Sequence, residues 1–577
     1  MRFNPSYRHT FFLLTALGLF SPGVSRGAPT SAKSTAQVKS PAPPRQSPTR
    51  PSKTNAAPAR APLSRMAPSP QPAATPAGKK TLAVPPRATG PKTAKPATAR
   101  PQPVPGRARL FDPATLFVST LPNGVRAVIK ETQGTGLVAV QVWVRAGSRY
   151  ESISNNGVAH LIEDVALRAS KNYPHLPGLR SGDTIGGGAT DAIAALGGNV
   201  NSQTSRDATF YSATVASTFW PAALRALADA TLAPTLTDSM VEESRSAVQS
   251  DVQQRKTDPV ATMADLAYET AFSRHPYRRP AGGTEDSIDA LTGAAVRAYH
   301  KARYIGPNIS VIVVGDVHHT NAHALIAQYF GAALPGPKRA PAAIPVEQKP
   351  LTFKTASRRI PTQATMLALA FRAPGINSPK DVVAMDTLLV HWGEGSDAGM
   401  RRVLLGAAKA DKPGGEPAEG GDAEQSPAPK PLALGFDVDF LTQRDPGLFI
   451  VSLVVEPDRR TAALSATLEE IGRVNKNGID AAALQRAKRI LTRQYIEQGE
   501  TVSGQAGALG FYEMIADYRF AVTYLDSVAK VTMADVKRVA GRYLSKSAYV
   551  QAVVEPLPRP RTRPPGGSGG TITARAR

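Results

Sequence analysis

The sequence predicts an α+β fold built as two homologous halves of similar length, about 111–340 and 347–556, and three observations predict it. A helix-then-strand unit closes each half: Leu291–Tyr304 leads into the apolar run Ile309–Val314, and Val531–Tyr543 leads into Tyr549–Val554. The Pro-rich stretch Pro335–Pro345 separates the two. Apolar alternation in Gly447–Val455 and an amphipathic run from Ala481 to Leu491 give the second half its own strand and helix.

Taken in chain order, the 577 residues open on Met1–His9, the apolar run Phe11–Phe20 and small residues through Ala28. That pattern predicts a signal peptide over 1–27, too short to cross a bilayer, and therefore a secreted or periplasmic mature chain. No later segment is predicted to span a membrane. Residues 28–110 are dominated by Pro, Ala, Ser, Thr, Lys and Arg and cannot bury enough surface to fold, which predicts a disordered tether.

The net charge is +24, but residues 1–110 hold 18 Lys and Arg with no acid, and 557–577 hold five Arg with no acid. The body between them is left near neutrality. Tails of this kind predict at most a weak, salt-sensitive contact with an anionic envelope surface. Without interleaved aromatic residues they do not predict specific nucleic-acid binding. Cysteine is absent, so disulfides and thiolate ligands are excluded, and any metal must be held by His, Asp or Glu.

Within the first half, Leu121–Ile129 carries an Asn-Gly hairpin signal, and Leu137–Glu151 reads as a strand and its exit. The string from Gly157 to Asp164 then predicts a helix with His160, Glu163 and Asp164 on one face, because positions i, i+3 and i+4 share a face. After it come Leu196–Tyr211 and the helical Val241–Asp251. His318, His319 and His323 follow a strand; Thr320 is read as the N-cap of the next helix, leaving His319 outside it and predicting a solvated helix start. His175, His275, His300 and His391 show no ligand spacing.

In this order the segments resemble the pitrilysin and insulinase type of metallopeptidase, whose inverted zincin motif is His-x-x-Glu-His. The resemblance covers about 111–556. It implies two domains, each a largely antiparallel sheet with helices packed on it, facing each other across a cleft. It also implies zinc, with His160, Asp164 and Asp251 at the metal-ligand positions and Glu163 as the catalytic base. Two of the three ligand positions are therefore substituted, since Asp164 stands for His and Asp251 for Glu. Asp164 and Asp251 are 87 positions apart, with a Gly/Pro-rich insertion from 172 to 190 between them. A supporting acidic position falls on Ser244. An Arg and a Tyr that grip the peptide in such enzymes fall on Leu405 and Leu434, with Arg401 or Arg402 as substitutes, around a low-complexity insertion at about 407–431.

Zinc accepts carboxylate oxygen at about 2.0–2.2 Å, so one His and two Asp are chemically permissible. Asp is shorter than both His and Glu, however, and strains the reach. Without metal, Glu163, Asp164 and Asp251 would crowd like charges and raise at least one pKa. The strand through Asn201, Ser202 and Thr204 is the candidate edge for an extended peptide, with Asn201 as the substrate-binding residue. Three functions fit. The first is an exported, catalytically impaired homologue that binds peptide or unfolded polypeptide, or supports an active partner as half of a hetero- or homodimer with a related peptidase subunit. The second is a zinc endopeptidase working with the His/Asp/Asp set. The third is an envelope-associated interaction protein acting through its basic tether.

Overall fold

A computed structural model describes residues 110–174, 187–336, 343–347, 353–394, 399–406 and 430–558. The expected signal peptide, nearly all of the expected tether and the basic tail, His175, and most of the 172–190 and 407–431 insertions lie outside the described residues.

The first half runs β1 (Leu116–Thr120), β2 (Arg126–Glu131), β3 (Leu137–Val144), α1 (Val158–Arg168), α2 (Gly188–Ala195), β4 (Asn199–Thr204), β5 (Thr209–Ala216), α3 (Trp220–Leu232), α4 (Asp238–Thr257), α5 (Pro259–Ala271), α6 (Glu285–Asp289), α7 (Gly293–Arg303), β6 (Ile309–Gly315) and α8 (His319–Phe330). The second runs β7 (Lys354–Ile360), β8 (Thr365–Arg372), α9 (Pro379–Gly393), α10 (Gly399–Leu405), β9 (Gly435–Phe440), β10 (Leu448–Val455), α11 (Arg460–Asn477), α12 (Ala481–Gln498), α13 (Val502–Ile515), α14 (Arg519–Lys530), α15 (Met533–Tyr543) and β11 (Val550–Pro556).

Each half forms one sheet, ordered β1-β2-β6-β3-β5-β4 and β7-β11-β8-β10-β9. Both are antiparallel except where the closing strand lies parallel to an early one, β6 on β2 and β11 on β7. The largely antiparallel α+β architecture with repeated halves is thus what the sequence predicts. The closing helix-then-strand units are α7 with β6 and α15 with β11.

The sequence of β3 shows why its sheet is buried on both faces. Successive side chains of a strand point to opposite sides. Val138, Val140, Val142 and Val144 enter the core beneath helices α1 and α3 of the same half. Ala139 and Trp143 enter a second core shared with the other half. There α13 lies across β3 and β6. Gly510 permits this approach, since a Cβ there would sit 2.1 Å from Trp143 Nε1. In return α5, from the first half, packs on β7, β8 and β11, with Leu266 and Ala267 against Ala368, Ala370 and Ala552. The halves therefore do more than face one another across a cleft: each lends a helix to the other's sheet.

Candidate functional site

Helix α1 carries His160, Glu163 and Asp164. Its start is fixed by two residues. Gly157 adopts φ +92°, a left-handed conformation that favours glycine, and a Cβ there would meet Ile288 Cδ1 at 2.4 Å. The buried carboxylate of Glu151 accepts from the N–H of Gly157 at 2.8 Å, the N–H of Ala159 at 3.0 Å and the Asn156 side-chain amide at 2.8 Å. First-turn donors that would otherwise lack partners are thereby satisfied. The apolar face through Val158, Leu161 and Ile162 is buried in the core of the first sheet, with Val165 against Met240 of α4, and this turns His160 and Glu163 toward a cavity of about 460 Å³.

That cavity is lined by His160, Glu163, Ser202, Thr204, Asp251 and Gly282, among others, and by no described residue of the second half. His160 Nε2 lies 3.9 Å from Asp251 Oδ2, while Nδ1 lies 3.4 Å from the carbonyl oxygen of Gly282. The structure therefore brings His160 and Asp251 together across α1 and α4. Glu163 is buried, and its Oε2 has no hydrogen-bond partner among the described residues. Burial pushes the Glu163 carboxyl up, opposed by His160 and by the hydroxyls of Thr204 and Ser202. The raised pKa expected from crowded carboxylates is present, but desolvation is its main cause and Asp164 contributes least.

Asp164 departs from its expected role as a ligand. Its Oδ2 accepts from Arg168 Nε at 2.5 Å, one helical turn on, and Arg168 reaches to 4.0 Å from Glu243. Asp164 does not line the cavity. Three ligands bonded to one zinc at about 2.0–2.2 Å must converge within about 4 Å of one another. Only His160 and Asp251 do so here. Among the described residues, no group containing His160, Asp164 and Asp251 gathers its ligand atoms within 4.8 Å. The residues present do not fit a three-ligand zinc centre.

The supporting positions agree with that result. Ser244, where the resemblance implies an acid, is fully buried and its Oγ has no hydrogen-bond partner among the described residues. Leu405 is half-buried at the end of α10, and Leu434 is 59% exposed ahead of β9. Arg401 stands 5.8 Å from the Phe436 ring centroid, and neither it nor Arg402 lines the cavity.

Strand β4 is an edge, with β5 as its neighbour. Alternation directs Asn201 to the face opposite Ser202 and Thr204. Asn201 is exposed and does not line the cavity, whereas Ser202, Gln203 and Thr204 do.

Sequence reasoning placed Ser202 and Thr204 on the candidate edge strand but missed Glu151 and did not weigh Arg168, although an Asp–Arg spacing of four on a helix is a legible pairing signal. It also misread the histidines after β6. His318, not Thr320, is the N-cap, accepting from the Thr320 N–H at 3.4 Å, and His319 is the first helical residue. His319 Nδ1 lies 2.8 Å from Glu131 Oε1. Glu131, His318 and His319 are the one group of metal-ligating type that converges among the described residues.

Two family models match the chain: residues 126–285 match insulinase (peptidase family M16), and residues 290–491 match the peptidase M16 inactive domain. An uncharacterized zinc protease of Mycobacterium bovis is 26% identical over 463 residues, covering 78% of this chain and 97% of that protein. The mitochondrial-processing peptidase subunit beta of Bos taurus is 26% identical over 448 residues, covering 76% of this chain and 85% of that protein. A protease from Helicobacter pylori of known structure superposes with a TM-score of 0.66 at 22% identity, covering 76% of this chain and 99% of that one.

Proposed function

The chain belongs to the insulinase, or M16, peptidase family, and from that premise we propose that it is an exported, catalytically impaired member that binds extended polypeptide and supports an active partner subunit. One observation carries the reading: the Asp164 carboxylate is held by Arg168 and does not turn toward His160 and Asp251. A family member that hydrolyses peptide needs a polarised water beside its base, and the three-ligand set that would hold a zinc for that purpose is not assembled. Glu163 remains in place, buried and raised, but a base without a positioned nucleophile does little.

Peptide binding makes weaker demands on side chains. The free edge of β4 runs beside the cavity, and a strand added there would be held through backbone hydrogen bonds. Leucines in place of the Arg and Tyr positions remove polar grips and leave apolar contact, Leu434 being exposed for it. A paired role is supported by the relatives named as subunits of the mitochondrial-processing peptidase. Export is supported by the apolar run Phe11–Phe20, and no described helix is long and apolar enough to cross a membrane.

The test compares the natural protein with the combined Asp164→His and Asp251→Glu variant, measuring bound zinc and cleavage of an unstructured polypeptide. The natural chain is expected to bind the polypeptide without cleaving it. The variant, whose imidazole no longer pairs with Arg168, is expected to gain zinc at this cavity. Chelator-sensitive cleavage by the natural chain that disappears with His160→Ala would overturn the proposal in favour of a working His/Asp/Asp centre.

A further inference from the structure

We propose that Glu131, His318 and His319 form a binding site for a zinc-class divalent cation, separate from the cavity around His160. One ligand atom from each residue lies within 4.8 Å of the other two. The fold assembles them from two directions. Glu131 ends β2 and pairs in register with Gly315 at the end of β6; three residues later the chain turns into α8, placing His318 at the cap and His319 at the first position.

The arrangement is held before any ion arrives. Glu131 Oε1 accepts from the His319 backbone N–H at 2.7 Å and meets His319 Nδ1 at 2.8 Å. The Phe117 ring stacks on the His319 imidazole at 3.7 Å and 8°, fixing its plane. His318 stacks on His319 with ring centroids 4.7 Å apart and planes 26° apart, so the exposed His318 ring turns to bring an in-plane lone pair onto an ion held by His319. Its Nδ1 makes a contact of 3.4 Å with the Thr320 N–H, which is long for a hydrogen bond.

Two imidazoles, which are borderline donors, with one harder carboxylate suit zinc and its neighbours in the first transition row. The 2.8 Å contact between His319 Nδ1 and Glu131 is about 0.6 Å shorter than the roughly 3.4 Å between two tetrahedral ligand atoms at about 2.1 Å from one ion. Binding therefore requires loss of the proton shared there and an opening of the two side chains by that amount, without movement of the chain. The helix terminus itself calls for an anion, and Glu131 already answers that call; what the two imidazoles add is capacity for a cation. His318 is exposed, which leaves the ion open to entry and to water as a fourth ligand.

A cation here ties the end of β2 to the start of α8 and has no contact with Glu163. Its effect is on stability. It also means that an equivalent of metal in the purified protein is no proof of a peptidase centre.

The experiment titrates zinc chloride into the full chain after chelator treatment, following binding by calorimetry and the thermal midpoint. His318→Asn removes the imidazole while keeping a favourable N-cap residue, so a folding defect is avoided. The natural chain and His160→Ala are expected to bind one zinc with the same affinity and the same upward shift in midpoint. His318→Asn and Glu131→Gln are each expected to lower affinity at least 10-fold and abolish the shift. Absence of zinc binding to the natural chain, unchanged binding in His318→Asn, or loss of binding in His160→Ala would each overturn the proposal.

Discussion

The helix that carries His160 and Glu163 depends on a carboxylate that takes no part in their chemistry. Glu151 is buried and accepts three hydrogen bonds at the start of α1. Removing it leaves three donors without their acceptor in a place water reaches poorly, at a cost of about 1–3 kcal/mol for each donor that stays unpaired. Glu151→Ala is therefore expected to lower unfolding free energy by roughly 3 kcal/mol, read from urea midpoints; a loss under about 0.5 kcal/mol would show that the helix start holds without it. The sequence makes Glu151 visible only as the end of a strand exit, because its partners depend on how the loop from 152 to 157 folds back. His160, Glu163 and Asp251 were legible, since helical spacing and segment order place them on facing helices. The departure at Asp164 has a definite cause. Spacing shows which side chains can share a face, but not which of them an opposite charge one turn on draws aside, here Arg168.

Among the elements, α9 shows what periodicity conceals. Its residues from Asp381 to Trp392 are all buried, with Asp386 among them. Tyr524 on α14 donates to Asp386 at 2.8 Å, yet burial dominates and pushes the carboxyl up to about 7. In the unfolded chain the same group titrates near 3.9. Because its folded pKa is raised, the stability it contributes is greatest below about pH 4, declines as pH rises, and levels off above about 7. Asp386→Asn removes this dependence. Its unfolding free energy relative to the natural chain is expected to rise between pH 4 and pH 8, by up to about 4 kcal/mol at about 1.4 kcal/mol per pK unit. Guanidinium unfolding at the two pH values measures it. Asp437 and Asp439, pushed up by burial to about 6 and about 7, act in the same direction but are present in both proteins and cancel. A difference that stays flat with pH would mean that Asp386 is ionised at pH 7. Strand β3 was legible as a strand and its exit, β10 from alternation, and α12 from its apolar stripe. A buried acid on α9 was not, because an isolated Asp in an apolar helix reads equally well as its solvent side.

For the molecule as a whole, the repeat and the Pro-rich spacer indicate two units but not how they join. Periodicity reports that a helix has an apolar face; it does not say which sheet that face meets. Here α13 covers the first sheet and α5 covers the second. The junction is sealed by polar contacts as well: Arg149 and His275 both meet Asp445, at 2.6 and 2.9 Å, while the Arg444 N–H donates to Asp207 and the Asp445 N–H to the Tyr277 hydroxyl oxygen, each at 3.1 Å. Separating the halves would expose Trp143, Phe210, Ile312 and Val314 as a contiguous apolar face, a surface that drives aggregation. It would also leave Arg149 and His275 without their carboxylate. Residues 111–342 expressed alone are therefore expected to be insoluble or to lack a cooperative thermal transition, whereas co-expression with 343–558 is expected to yield a soluble complex of the two pieces. Gly510→Val in that complex drives a side chain into the Trp143 indole and is expected to weaken association at least 10-fold, measured by dilution on size-exclusion chromatography. If 111–342 alone is soluble and melts cooperatively, the exchanged helix is decoration on a self-sufficient domain; if it fails alone and is rescued by its other half, the repeat is two copies of a unit that neither copy can complete.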